Sequence, residues 1–205
     1  ILCNPHNPVG RSWSADELHQ LADICLSNNI MILSDEIHCD LVLPGYKHVP
    51  IATLSPEIAS KTITLVATSK TFNIAGLSTS SAIISDPGLK KRFKRTVEGL
   101  HISNGNIFGA EASEAAYKNG DKWLDSLLEY INGNIGLAED YFRKMIPEII
   151  PASTEATYMI WLDCRAFGMK GTELMNFFVN KANVGMNEGS SFGPGGEGFM
   201  RMNVA

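Results

Sequence analysis

Short, almost continuous apolar runs alternate with helix-patterned stretches through the first half of the chain, and few architectures tolerate that alternation. Residues 1–3 read as a strand entering a loop. Ser14 then precedes a helical pattern, with Asp16 and Glu17 in its first turn and Leu18, Leu21, Ile24 and Cys25 at helical spacing. Strand-like runs follow at residues 30–33, 62–67 and 81–84, and a helix runs from Pro87 to about residue 97, where proline suits the first turn. Strands that are apolar throughout and separated by helices predict a mainly parallel sheet covered by helices on both faces, an α/β arrangement.

From about residue 108 the pattern turns helical. One helix is expected over 110–118, ending at Asn119-Gly120, and a long one from about 122 to 145, stopped by Pro147. A different module opens near Pro151: a strand at 158–163, a helix at 172–181, a short strand at 184–186 and a last strand at 199–204. These mixed elements predict a smaller α+β domain, which divides the chain into residues 1–135 and 136–205. No internal repeat is present. The run Gly193-Pro194-Gly195-Gly196-Glu197-Gly198 is loop chemistry without the GxxxxGK[ST] pattern of a phosphate-binding loop.

Composition narrows the function classes. With 205 residues, 44% of them hydrophobic, the chain can bury one core or a core and a half. A net charge of −5 and no long basic tract argue against a nucleic-acid partner. The cluster Lys90-Lys91-Arg92-Phe93-Lys94-Arg95 reads as a solvated helix face. Cys3, Cys25, Cys39 and Cys164 are scattered with no CxxC pair, which suggests buried free thiols in a reducing cytoplasm and no metal site. No apolar run reaches membrane-spanning length. The chain starts at Ile1 inside a strand-like run and stops inside another, so it reads as a piece of a longer protein.

Four residues invite chemistry. Lys70 ends the run Ile63-Thr64-Leu65-Val66-Ala67-Thr68-Ser69-Lys70, and an amine at the mouth of a buried strand is costly unless it is used. Asp35, in Ser34-Asp35-Glu36-Ile37-His38, follows an apolar run where an isolated carboxylate would be expensive; the plain alternative is a helix cap. Asn7 lies in Asn4-Pro5-His6-Asn7-Pro8-Val9-Gly10, otherwise readable as a turn. Arg201, in Phe199-Met200-Arg201-Met202-Asn203, is otherwise an edge-strand salt bridge. His6, His19, His48 and His101 show no paired spacing for a metal.

Taken with Thr71-Phe72-Asn73-Ile74-Ala75-Gly76-Leu77 after the lysine, these strings resemble fold-type I pyridoxal phosphate enzymes of the aminotransferase superfamily, nearest the cystathionine β-lyase branch. The resemblance implies part of a pyridoxal-phosphate-dependent transferase fold, a large domain plus a smaller C-terminal domain, both incomplete. It implies that Lys70 bonds the cofactor and moves the substrate's α-proton, and that Asp35 pairs with the ring nitrogen. Asn7 would bind the phenolic oxygen, His38 would lie near the cofactor, Ser69 (Thr68 more weakly) would hold its phosphate, and Arg201 would take the substrate carboxylate. Two positions depart from the aminotransferase pattern: Ala67 stands where serine is common and Ser78 where arginine is common, and the lyase branch also tends to lack that arginine. The implied reaction is cleavage of a carbon–sulfur bond in a cystathionine- or cystine-type amino acid, in a cytoplasmic homodimer. An aminotransferase, or a regulatory protein on the same fold, is the alternative.

Overall fold

β1 (Leu2–Cys3) opens a four-stranded sheet in a computed structural model that describes residues 1–102 and 105–205. Ser14 starts α1 (Ala15–Ser27) with a reciprocal cap: its hydroxyl accepts from the Glu17 amide, and the Glu17 carboxylate accepts from the Ser14 amide. β2 (Ile32–Asp35) pairs in parallel with β1. A short helix, α2 (Pro56–Ser60), capped by Ser55, leads into β3 (Thr62–Val66), which pairs in parallel with β2. α3 (Thr68–Thr71) is one helical turn following β3. β4 (Ser81–Ile84) runs antiparallel to β3, so the sheet is mainly parallel, as expected. α4 (Pro87–Gly99) is capped by Asp86, and α5 (Ile107–Asn119) by Asn106.

Side-chain alternation along the strands sorts the core into two clusters. Ile32 packs with Leu2, Leu18, Ala22, Ile51 and Ile58, and so with α1 and α2. Its neighbour Leu33 points the other way, toward Ile63, Ile84, Leu89 and Phe93, and so toward α4. Helices therefore cover both faces, as expected of this α/β fold.

The chain forms two compact units. The first comprises Ile1–Pro5, Ser12–Val42 and Lys47–Ser126; the second comprises His6–Arg11, Leu43–Tyr46 and Leu127–Ala205. In the second, the remainder of α6 (Asp121–Met145) precedes β5 (Ile150–Pro151), β6 (Met159–Asp163), α7 (Thr172–Phe177), β7 (Asn187–Glu188) and β8 (Phe199–Asn203). Its sheet has the order β5-β6-β8-β7 and is antiparallel throughout. Ile131 and Ile135 of α6 bury against Ile160, Leu162, Leu174 and Met200. The boundary expected at 135/136 falls inside α6.

Several element limits differ from the sequence expectation. Residues 30 and 31 are not in β2: the Ile30 amide donates to the Cys25 carbonyl and closes α1, and both side chains are exposed. β2 thus extends to include Asp35. α7 stops at Phe177 and widens into a π-turn through Ala182. The strand expected at 184–186 lies instead at Asn187–Glu188. Of the four free cysteines only Cys164 is buried; Cys3, Cys25 and Cys39 are half-buried. Among the described residues, no helix is long and apolar enough to cross a membrane.

Candidate functional site

Parallel strands leave their carboxyl ends at one edge of a sheet, the edge where open α/β sheets bind ligands. Here that edge carries four of the six singled-out residues. Asp35 ends β2 opposite Leu65 of β3, and the Glu36 amide prolongs the pairing by donating to the Leu65 carbonyl at 2.8 Å. Its carboxylate accepts from the Ile37 amide at 3.3 Å and stays half-buried. Three residues on, His38 is buried, 2% exposed. Ser69 and Lys70, both half-buried, sit on α3 just beyond the end of β3. Thr68 is turned away toward α5, where its hydroxyl pairs with that of Ser113 at 2.7 Å.

Beneath Asp35 lies a polar group that sequence reasoning did not assign. Glu36, 1% exposed, accepts from the Ser34 hydroxyl at 2.8 Å and pairs with His48 Nε2 at 2.8 Å. A buried carboxylate needs such partners. Glu36 continues the buried side of β2 formed by Ile32 and Ser34, but nothing local points to His48.

The second unit holds Asn7 and Arg201, and brings them into contact. The loop carrying Asn7 is pinned at Gly10, whose carbonyl accepts from the amides of both Glu155 and Ala156. Gly10 has φ +76°, and a Cβ there would lie 3.0–3.1 Å from Thr154 and from the carbonyls of Ala156 and Met159. Only glycine meets both conditions without strain. Arg201, on β8, stands in register with Trp161 of β6 and Asn187 of β7. Its Nη1 donates to Asn7 Oδ1 and its Nη2 to Asn187 Oδ1, each at 2.8 Å. Its guanidinium carbon lies 4.6 Å from the centre of the Phe192 ring. Burial lowers the Arg201 pKa, with Tyr158 opposing. Asn187 and Phe192 were missed because strand register and loop folding, not local pattern, bring them to Arg201.

Two details of this group bear on what it can hold. Arginine only donates, so the oxygen of Asn7 faces Arg201 and its amide NH2 is the end left to donate elsewhere. Arg201 Nε is buried with no hydrogen-bond partner, a donor fit for an anionic oxygen. Beside them is an open hollow of about 280 Å³ lined by His6, Asn7, Val9, Trp161, Phe192 and residues 193–196. Burial, then the Arg11 charge, lowers the His6 pKa, which favours a neutral imidazole.

The family model for aminotransferase class I and II matches residues 1–205, the whole chain. Cystathionine beta-lyase PatB of Bacillus subtilis is 44% identical over 204 residues, covering 100% of this chain and 53% of that protein. Cystalysin from Treponema denticola, whose crystal structure contains a pyridoxal 5'-phosphate cofactor, superposes with a TM-score of 0.95 at 42% identity, covering 100% of this chain and 52% of its own. The pyridoxal-phosphate-bound C–S lyase from Staphylococcus hominis gives 0.90 at 34% identity, with 100% and 52% covered. The chain thus spans about half the length of the relatives it matches.

Proposed function

Because this chain belongs to the aminotransferase class I and II family, we propose that it is part of a pyridoxal-phosphate-dependent carbon–sulfur β-lyase. The donors of each unit suit that chemistry: in the first, a carboxylate and an amine at the carboxyl edge of a parallel sheet; in the second, an amide NH2 and an unpartnered guanidinium Nε. When bound, pyridoxal phosphate supplies an electron sink for charge at the substrate's α-carbon.

Each residue then has a defined task. The Lys70 amine would hold the cofactor covalently and, with substrate in place, would move the α-proton. Asp35 keeps the ring nitrogen protonated through a charge-assisted bond. Asn7 donates to the phenolic oxygen, Ser69 donates to the phosphate, and the buried His38 borders the same edge. Arg201 takes the substrate's α-carboxylate. Loss of the α-proton and of the β-thiolate, followed by hydrolysis, yields thiol, pyruvate and ammonia. Residues 1–135 would belong to the cofactor-binding domain and residues 136–205 to the small domain of a cytoplasmic homodimer.

The observation that supports this reading most is the Asn7–Arg201 hydrogen bond. It couples a would-be cofactor ligand to a would-be carboxylate ligand through one atom and leaves the correct end of the amide open. The lyase assignment over transamination rests on the names of the relatives. The deciding experiment is pyruvate release from L-cystathionine by the full-length parent with pyridoxal phosphate and no keto acid. Release that Lys70→Ala abolishes is the expected result. Turnover only after a keto acid is added would make the protein an aminotransferase.

A further inference from the structure

A single helical turn is too short to hold its own shape, since nucleation fixes several residues for one hydrogen bond. α3 is such a turn, and it carries Lys70. Its orientation must come from tertiary ties. Thr71, the residue after the lysine, is fully buried, and its hydroxyl donates to Asp40 Oδ2 at 2.8 Å. At the other end of the turn, Thr68 is tied to Ser113. Phe72 follows, stacked on Trp123 with ring centres 5.6 Å apart and edge-on to Tyr117 at 6.0 Å.

Asp40 comes from the segment that leaves β2 and bears Asp35. That segment is itself folded by the Cys39 amide donating to Glu36 and the Leu41 amide donating to His38. The Asp40–Thr71 bond therefore joins the two segments that emerge side by side from β2 and β3. Two further donors approach the carboxylate: the Cys39 thiol at 3.7 Å and the Tyr117 phenol at 3.5 Å. Burial, with the Asp40 charge second, pushes both up to about 12, so both keep their protons at neutral pH.

We propose that Asp40 is a positioning residue for Lys70, acting through the Thr71 hydroxyl to fix the turn that carries the amine. A 2.8 Å hydrogen bond between the two segments is the kind of tie that can hold a turn with little stability of its own. Asp40 touches neither substrate nor cofactor in this scheme. The inference rests on the proposed role of Lys70.

The test uses the full-length parent and four variants: Asp40→Ala, Asp40→Asn, Thr71→Val and Thr71→Ser. Three quantities are read: the rate at which added pyridoxal phosphate becomes covalently linked to Lys70, trapped with borohydride; kcat and KM for pyruvate release; and hydrogen exchange at the Phe72 amide in the cofactor-free protein. That amide bonds the Thr68 carbonyl at 2.9 Å and reports closure of the turn. Asp40→Ala and Thr71→Val are expected to slow linkage and kcat by roughly 10- to 100-fold, the cost of a displacement of about 1 Å. KM should change little and exchange should quicken. The double variant Asp40→Ala/Thr71→Val should be no worse than the poorer single one, because one bond is lost in each. Asp40→Asn and Thr71→Ser, which keep an acceptor and a hydroxyl, should restore most of the rate. Additive losses, no rescue by the conservative variants, or unchanged linkage would overturn the inference even if Asp40→Ala does not fold. A wild-type parent that never links the cofactor at Lys70 would remove the functional reading itself, and the inference with it.

Discussion

Arg201 shows how a charged side chain can be half-buried with no carboxylate ion pair among the described residues. Two amide oxygens, on Asn7 and Asn187, take one N–H from each end of the guanidinium, and the Phe192 ring lies against its face. Each of these partners is neutral, so the positive charge stays available for an incoming carboxylate. An aspartate in place of either asparagine would satisfy the charge internally. Of the two, Asn187 has no proposed contact with the cofactor, so changing it isolates the orientation of the arginine. Asn187→Ala removes a bond to a charged donor, worth about 1.5–3 kcal/mol. Steady-state kinetics of the full-length protein should show KM for the amino acid rising roughly tenfold or more, with kcat much less affected. An unchanged KM would mean that Asn7 and Phe192 suffice to aim the guanidinium.

At the scale of elements, the Asn7 loop is built around one conformational demand. Gly10 combines φ +76° with carbonyls about 3.1 Å from where a Cβ would sit, and its own carbonyl takes two amides ahead of β6. Gly10→Ala should cost about 1–3 kcal/mol, read as a lower denaturant midpoint, and should shift Asn7 away from Arg201. The glycine was legible as a turn residue, and so was the Ser14 cap, because both are decided by neighbours in sequence. Strand existence was legible for the same reason: apolar, β-branched runs marked β2, β3, β4 and β6. What local pattern could not carry was direction and partnership. β4 runs antiparallel although its composition matches that of its parallel neighbours. The edge strand beside β8 is the polar pair Asn187–Glu188 and not the more apolar 184–186, because backbone hydrogen bonding, not side-chain polarity, decides an edge. The Asp35, Lys70, Asn7 and Arg201 positions stood out through neighbouring strings. Asp40 and Asn187, like the His48 that pairs with Glu36, are set by contacts across the fold and left no local trace.

At the scale of the whole molecule, several acids are kept protonated by the fold. The thiols of Cys39 and Cys164 are pushed from 9.0 up to about 12, and the Tyr117 phenol from 10.0 up to about 12, burial being the largest cause in each case. The unfolded chain ionises these groups at lower pH than the folded one, so it binds fewer protons above pH 9. Their contribution to stability is therefore complete below about pH 9 and is lost as pH rises toward about 12. Thermal melting across pH 8 to 11 should show a falling midpoint, and Cys39→Ser with Cys164→Ser should flatten that fall. Cofactor capture belongs to this scale as well. The chain covers 53% of the length of its 44%-identical relative, and it exposes large apolar side chains, including Ile107, Phe108 and Leu137, each more than 70% exposed. A binding site completed by residues outside these 205 should hold pyridoxal phosphate weakly when they are absent, and exposed apolar surface of this kind favours association. Mixed with the cofactor and borohydride, the 205-residue chain should trap little of it at Lys70 and should grow in apparent mass with concentration, while the full-length parent traps about one equivalent per chain. Stoichiometric trapping by the short chain would mean that α3, β2 and their partners hold the cofactor unaided, and that the rest of the protein serves the substrate.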